Sequence, residues 1–170
     1  MTNFSRSMVE EVEMQAQGIG YWLTKRLLLS GDKEAVVDGD RRVNYRELEN
    51  RTNRFANALQ QKGIRHGDRL AILAQNCLEY VETLFAAAKL GVIIVPLNWR
   101  LSPDEMAFNL NDSGAETIIF DPVFADIVEV LKTKTDIAGL IKLGSSDRDG
   151  TDAYDLLLEE TGNDAPSPEI

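Results

Sequence analysis

Residues 90–120 read LGVIIVPLNWRLSPDEMAFNLNDSGAETIIF, and their order leaves few folds open. Gly91 stops a helix. The run from Val92 to Pro96 is β-branched and continuous, the pattern of a strand covered on both faces. Ser102-Pro103-Asp104-Glu105 then starts a helix, with a Ser cap, Pro in the first turn and acids at the positive end of the helix dipole. Asp112-Ser113-Gly114 ends it, and Thr117 to Phe120 is apolar and strand-like again. Strand, helix and strand this close together predict a βαβ unit, a parallel sheet and a right-handed crossover.

The rest of the chain repeats the alternation. A short helix is expected over residues 21–29, ending at Ser30-Gly31-Asp32. Residues 34–38 and 41–44 bracket Gly39-Asp40 and predict a tight hairpin. Asn44 and Glu47 form a capping-box pair. Behind them Tyr45, Leu48, Phe55, Ala56 and Leu59 fall on one helical face, and Gly63 is the stop. Residues 69–74 read as a strand. Asn76 reads as the cap of a helix from about residue 77 to residue 90, apolar nearly all round and therefore expected to be buried. Asp121-Pro122 opens another helix, through about residue 131. Residues 140–143 are strand-like, residues 144–150 a polar turn, and residues 151–160 a last helix with Tyr154, Leu157 and Leu158 on one side. The fold class is α/β, alternating strand–helix units on a mainly parallel sheet. Residues 1–17 form a polar N-terminal segment, residues 18–161 the folded unit, and residues 162–170, with two prolines, a connector.

The bulk numbers limit function more than they define it. The chain has 170 residues, enough for one domain with a real core, and a net charge of -10. That balance argues against nucleic acid or an anionic membrane as partner, since both want basic patches. One cysteine, Cys77, excludes an intramolecular disulfide and points to a reducing, cytoplasmic setting. No apolar run approaches the roughly 20 residues of a membrane span, so no transmembrane segment is expected.

Few residues suggest chemistry. There is no GxxxxGK[ST] and no GxGxxG phosphate loop. The helix starts at Asn76 and Ser102 could hold an anion, but caps satisfy their N–H groups locally. His66, the only histidine, lies in a turn with no second metal ligand nearby, and reads as solvated. Cys77 sits at a helix start, where thiols ionise more readily, yet no histidine is near it in sequence and it suits a small apolar filler. Glu10-Glu11 and Glu159-Glu160 read as exposed. Tyr21, Trp22 and the run Leu27 to Leu29 form an apolar patch that is either core or a partner surface, including a second copy of the chain. Arg100 follows Val95-Pro96-Leu97-Asn98-Trp99 at the C-terminal end of a strand, where ligands gather in open α/β sheets. It either grips a phosphate bidentately or pairs with Asp104 or Glu105. Trp99 reads as packing.

Three segments together resemble the adenylate-forming acyl-CoA synthetases. Val43-Asn44-Tyr45-Arg46-Glu47-Leu48 is similar to their opening (S/T)YxEL motif, with Asn44 in place of Ser or Thr. Gly67-Asp68-Arg69-Leu70-Ala71-Ile72-Leu73 and then Gln75-Asn76-Cys77-Leu78-Glu79 resemble a GDRVAI and N-S-x-E stretch. Ala87-Ala88-Lys89-Leu90-Gly91, Pro96-Leu97-Asn98-Trp99-Arg100-Leu101 and Asp112-Ser113-Gly114-Ala115 are similar to the form found in bacterial fatty-acid ligases. The resemblance implies the first subdomain of the family's N-terminal domain. It implies an enzyme that uses ATP, CoA and Mg²⁺ to turn a carboxylic, and chiefly a fatty, acid into its CoA thioester through an acyl-adenylate. It places Arg100 near the CoA nucleotide. The phosphate loop, metal-binding glutamate and catalytic lysine of the family come later than residue 170. No catalytic or metal residue is therefore assigned here, and the 170 residues alone are expected neither to adenylate nor to bind ATP tightly. Two other readings stand beside this one: an adenylation domain feeding a carrier protein, and a non-catalytic α/β interaction module.

Overall fold

The computed structural model describes residues 18–144 and 151–166. The polar segment 1–17 with its Glu10-Glu11 pair, most of the 144–150 turn and the last four residues of the connector lie outside the described residues. Helix α1 (Gly20–Ser30) is followed by the antiparallel hairpin β1 (Glu34–Asp38) and β2 (Arg41–Asn44). Then come α2 (Tyr45–Gln61), β3 (Arg69–Leu73), α3 (Leu78–Leu90), β4 (Ile93–Pro96), α4 (Pro103–Ser113) and β5 (Thr117–Phe120). A 3₁₀ turn at Pro122–Phe124 leads into α5 (Ala125–Lys132), and β6 (Gly139–Lys142), β7 (Asp152–Ala153) and α6 (Tyr154–Glu159) complete the order.

Five strands form one parallel sheet in the order β4-β3-β5-β6-β7. Side chains alternate across it, as the pleat requires. Leu70, Ile72 and Ile119 point into a core with Phe55, Ala56 and Leu59 of α2, Ala86, Ala87 and Leu90 of α3, and Tyr154 and Leu158 of α6. Ala71, Leu73, Ile118 and Phe120 point to the other face, against Met106 and Leu110 of α4 and Val128 and Leu131 of α5. A smaller cluster, Leu23, Val43, Leu48 and Leu78, fastens α1 and the hairpin outside α2 and α3. Fully burying each of the larger side chains contributes roughly 1.5–3 kcal/mol.

The capping box at Asn44 and Glu47 is present, as is a second at Ser102 and Glu105 with Pro103 in the first turn. Gly91 takes a left-handed conformation at φ 68° and closes α3.

Five expectations need correction. The strand after Gly91 is not covered on both faces: β4 is an edge of the sheet among the described residues, and Ile93 is 49% exposed. Its apolar run reflects one packed face and an open edge, and Pro96 is tolerated there because an edge strand need not donate on its outer side. Helix α3 is not buried all round. Leu84 is exposed while Glu79, Glu82 and Thr83 are buried, because ion pairs from the hairpin and α2 compensate the acids. Asn76 does not cap α3; Cys77 occupies the N-cap position, and the capping carboxylate is Asp38. Asp121 caps the 3₁₀ turn, with α5 starting only at Ala125. The last helix starts at Tyr154, because Asp152 and Ala153 pair with β6 as a fifth strand.

Candidate functional site

The C-terminal ends of β3, β4 and β5 lie side by side. Leu97 N–H donates to Ile72 O at 2.9 Å, and Asp121 N–H to Leu73 O at 3.0 Å. From this edge the segment Asn98-Trp99-Arg100 projects into solvent. Its shape is set locally: Arg100 N–H donates to Asn98 Oδ1 at 3.1 Å, and Leu101 N–H to Asn98 O at 3.0 Å. Trp99 is 38% exposed and stacks on Phe124, centroids 6.4 Å apart and planes 25° apart. Phe124 belongs to the 3₁₀ turn after β5 and is buried, so it anchors the indole to the sheet. The Arg100 guanidinium carbon sits 4.2 Å from the Trp99 ring centroid, a cation–π contact.

The pairing of Arg100 with the next helix is not what forms. Asp104 pairs with Lys134 at 2.6 Å, and Glu105 is taken by the cap at Ser102. Arg100 is exposed and makes no ion pair among the described residues.

The other sequence candidates do not join it. The N-terminus of α3 is occupied by Asp38, whose Oδ2 accepts from Leu78 N–H at 3.1 Å, and that of α4 by its own box. His66 is exposed and rests against Gly91, where an added Cβ would come within 2.2 Å of the imidazole. Cys77 is half-buried, and burial pushes its thiol up to about 11. No group of three or more His, Cys, Asp or Glu gathers to hold a metal among the described residues.

Two adjoining clefts, of about 400 and 310 Å³, lie at the opposite end of the sheet. They share Lys62, Ile64 and Thr117, and the larger is crossed by a Lys62–Asp152 ion pair at 2.5 Å. Their charges are mixed: Lys62 and Arg69 stand against Asp68, Glu116 and Asp152. Ligands of open α/β sheets sit beyond the carboxyl ends of the strands, so the Arg100 end is the better candidate.

Sequence reasoning missed a set of charged groups that joins the hairpin and helices α1, α2, α3 and α6. Glu82 is fully buried and is met by Arg51 and by Tyr154 Oη, the latter at 2.7 Å. Lys89 and Glu49, both buried, pair at 2.9 Å, and Thr24 of α1 donates to the same Glu49 oxygen at 2.7 Å. Arg41 links Asp38 and Glu79. Asn53, Arg54 and Asn57 of α2 donate to the backbone carbonyls of Asn163, Leu158, Gly162 and Asp164, so the described part of the connector is tied down. The only sequence signal was the presence of acids at core-facing helical positions; the partners are tens of residues away.

A family model described as AMP-binding enzyme matches residues 24–169. The chain is 42% identical over 118 residues to a feruloyl-CoA synthase from Amycolatopsis sp, covering 69% of this chain and 24% of that protein. It is 32% identical over 155 residues to the long-chain-fatty-acid–CoA ligase FadD13 of Mycobacterium tuberculosis, covering 90% of this chain and 30% of that one. The crystal structure of the N-terminal domain of FACL13 from Mycobacterium tuberculosis matches with a TM-score of 0.78 and 28% identity, over 91% of this chain and 39% of that one. The chain spans 24% and 30% of the length of the two relatives.

Proposed function

Because the chain belongs to the AMP-binding enzyme family, we propose that the protein carrying it is an ATP-dependent acid–CoA ligase and that these residues form the first subdomain of its N-terminal domain. In that reaction a carboxylate oxygen of the acid attacks the α-phosphorus of ATP and pyrophosphate leaves. The CoA sulfur then attacks the acyl carbon, and AMP leaves as the thioester forms. The acid is a fatty acid on this reading, with aryl acids as the nearest competitors, in keeping with the fatty-acid–CoA ligase and the feruloyl-CoA synthase that the chain resembles. The setting is the cytoplasm, where ATP and CoA are both supplied.

The described residues gather no group of three or more His, Cys, Asp or Glu, and the sequence has no glycine-rich phosphate loop, so no residue of this chain is assigned to Mg²⁺ or the ATP phosphates. No step is assigned through them, and the 170 residues alone are expected to be inactive. What this chain contributes is the sheet edge and, on it, Arg100, which we assign to an anionic group of the CoA nucleotide. Its exposure beyond the strand ends and its lack of a carboxylate partner among the described residues support that role.

The observation that carries the reading is the 32% identity to a fatty-acid–CoA ligase across 90% of this chain. Assay of the whole protein with ATP, CoA and a panel of fatty and aryl acids tests it. Acyl-CoA, AMP and pyrophosphate in equal amounts are expected. Release of ADP in place of AMP, or no thioester from any acid, overturns it. ATP–pyrophosphate exchange catalysed by the 170 residues alone would overturn the assignment of catalysis to other segments.

A further inference from the structure

We infer that Trp99 is a positioning residue: through its contact with Phe124 it holds the Arg100 guanidinium over the indole and leaves its N–H donors free to take a phosphate group. This rests on the acid–CoA ligase reading and says how that site is built.

Phe124, Trp99 and Arg100 form a run of three contacting side chains. Phe124 is buried beneath the end of β5. Trp99 stacks on it, centroids 6.4 Å apart. Arg100 lies on Trp99 at 4.2 Å. A guanidinium carries its five N–H donors in its own plane. The Arg100 side chain donates none of them among the described residues and meets Trp99 through a cation–π contact, so all five remain for the fork geometry that a phosphate accepts bidentately. Two further contacts limit the backbone: Asn98 Oδ1 accepts from Arg100 N–H, and Asn98 O from Leu101 N–H. An exposed arginine on an unconstrained loop loses rotamer freedom when it binds; this one has surrendered part of it beforehand. The indole is left 38% exposed, more than a side chain recruited only for packing needs. The phosphate end of a nucleotide is the ligand class that uses such a held guanidinium.

The test uses the whole protein and adenosine 3′,5′-bisphosphate, the nucleotide end of CoA, as the calorimetric probe, together with the KM for CoA. Trp99→Ala is expected to weaken probe binding about two- to fivefold and to raise the KM for CoA equally. Trp99→Phe, which keeps an aromatic face, restores binding to within about twofold. Arg100→Ala costs about tenfold or more, and in that background Trp99→Ala adds nothing. Equal losses from Trp99→Ala with and without Arg100, or a Trp99→Phe variant as impaired as Trp99→Ala, overturn the inference. If the whole protein forms no thioester but the probe binds with the expected dependence on both residues, the ligase reading fails and the positioning role stands. If thioester formation is normal and neither residue affects probe binding or the KM, the positioning role fails and the ligase reading stands.

Discussion

Tyr154 Oη donates to Glu82 Oε2 at 2.7 Å across 72 positions of sequence, and both side chains are wholly buried. Arg51 meets the same carboxylate from α2. One acid thereby joins α2, α3 and α6 on the sheet face behind the candidate site. A buried carboxylate deprived of partners is costly. Arg51→Met is expected to destabilise the protein by about 3 kcal/mol, the low end for a buried pair because Arg51 keeps 34% of its side-chain surface. Tyr154→Phe, which removes one donor and little volume, should cost about 1–3 kcal/mol. Urea unfolding midpoints of the two variants check the order; a Tyr154→Phe protein as stable as the parent would remove Glu82 from this role.

Glu82 and Glu79 should respond to pH in opposite senses. Burial, opposed by the hydrogen bond and charge of Arg51, holds Glu82 above its ordinary value of 4.5. A raised carboxyl contributes stability that is present below its unfolded value and is lost as pH rises through its folded value. Burial also pushes Glu79 up, but the hydrogen bond and charge of Arg41, with a helix N–H, outweigh it and leave Glu79 below 4.5. Its contribution is present above the unfolded value and is lost as pH falls. Melting temperatures taken from below to above pH 4.5 should show the parent losing ground to Glu82→Gln as pH rises and to Glu79→Gln as pH falls. Parallel slopes for the two variants would overturn one of the two assignments, and their sign would say which.

The cap of α3 is supplied from outside the helix. Asp38 lies 40 positions before Leu78, whose N–H it accepts; that hydrogen bond is the main cause of its lowered carboxyl value, with Arg41 second. Asp38→Ala is expected to lower the melting temperature by about 2–4 °C, the range for a lost cap in a chain of this size. Asn76→Ala should change little, although Asn76 sits where a local cap would be read. A larger loss from Asn76→Ala than from Asp38→Ala would restore the local cap.

These cases show what the sequence carries. The Gly39-Asp40 hairpin, the Asn44–Glu47 capping box, the Ser102 cap and the helix stop at Gly91 were legible because each is decided within four or five residues. So was Arg100 at a strand end, since strand direction follows from the alternation of elements. The exposed face of β4 was not legible. It depends on β3 lying between β4 and β5, a strand order that no local pattern encodes. The Asp38 cap, the Glu82 network and the ties from Asn53 and Asn57 to the connector were hidden for the same reason: their partners are distant in sequence. The exposed Trp22 and Leu29 of α1 belong here too, because core and partner surface share one apolar pattern.

Cys77 tests how competing effects at one helix end are weighed. It occupies the N-cap position of α3, where the helix dipole favours a thiolate. Burial is the larger effect and pushes the thiol up to about 11; the hydrogen bond from Tyr80 N–H lowers it, and the Glu79 and Asp38 charges raise it further. Against the ordinary value of 9.0, the thiolate fraction near neutral pH falls about a hundredfold. Alkylation by iodoacetamide proceeds through the thiolate, so the native protein should react far more slowly than the same protein in urea. Cys77→Ser should leave the melting temperature within about 2–4 °C of the parent, since the side chain is only half-buried. A native alkylation rate matching or exceeding the unfolded one would mean that the helix end, not burial, governs the thiol.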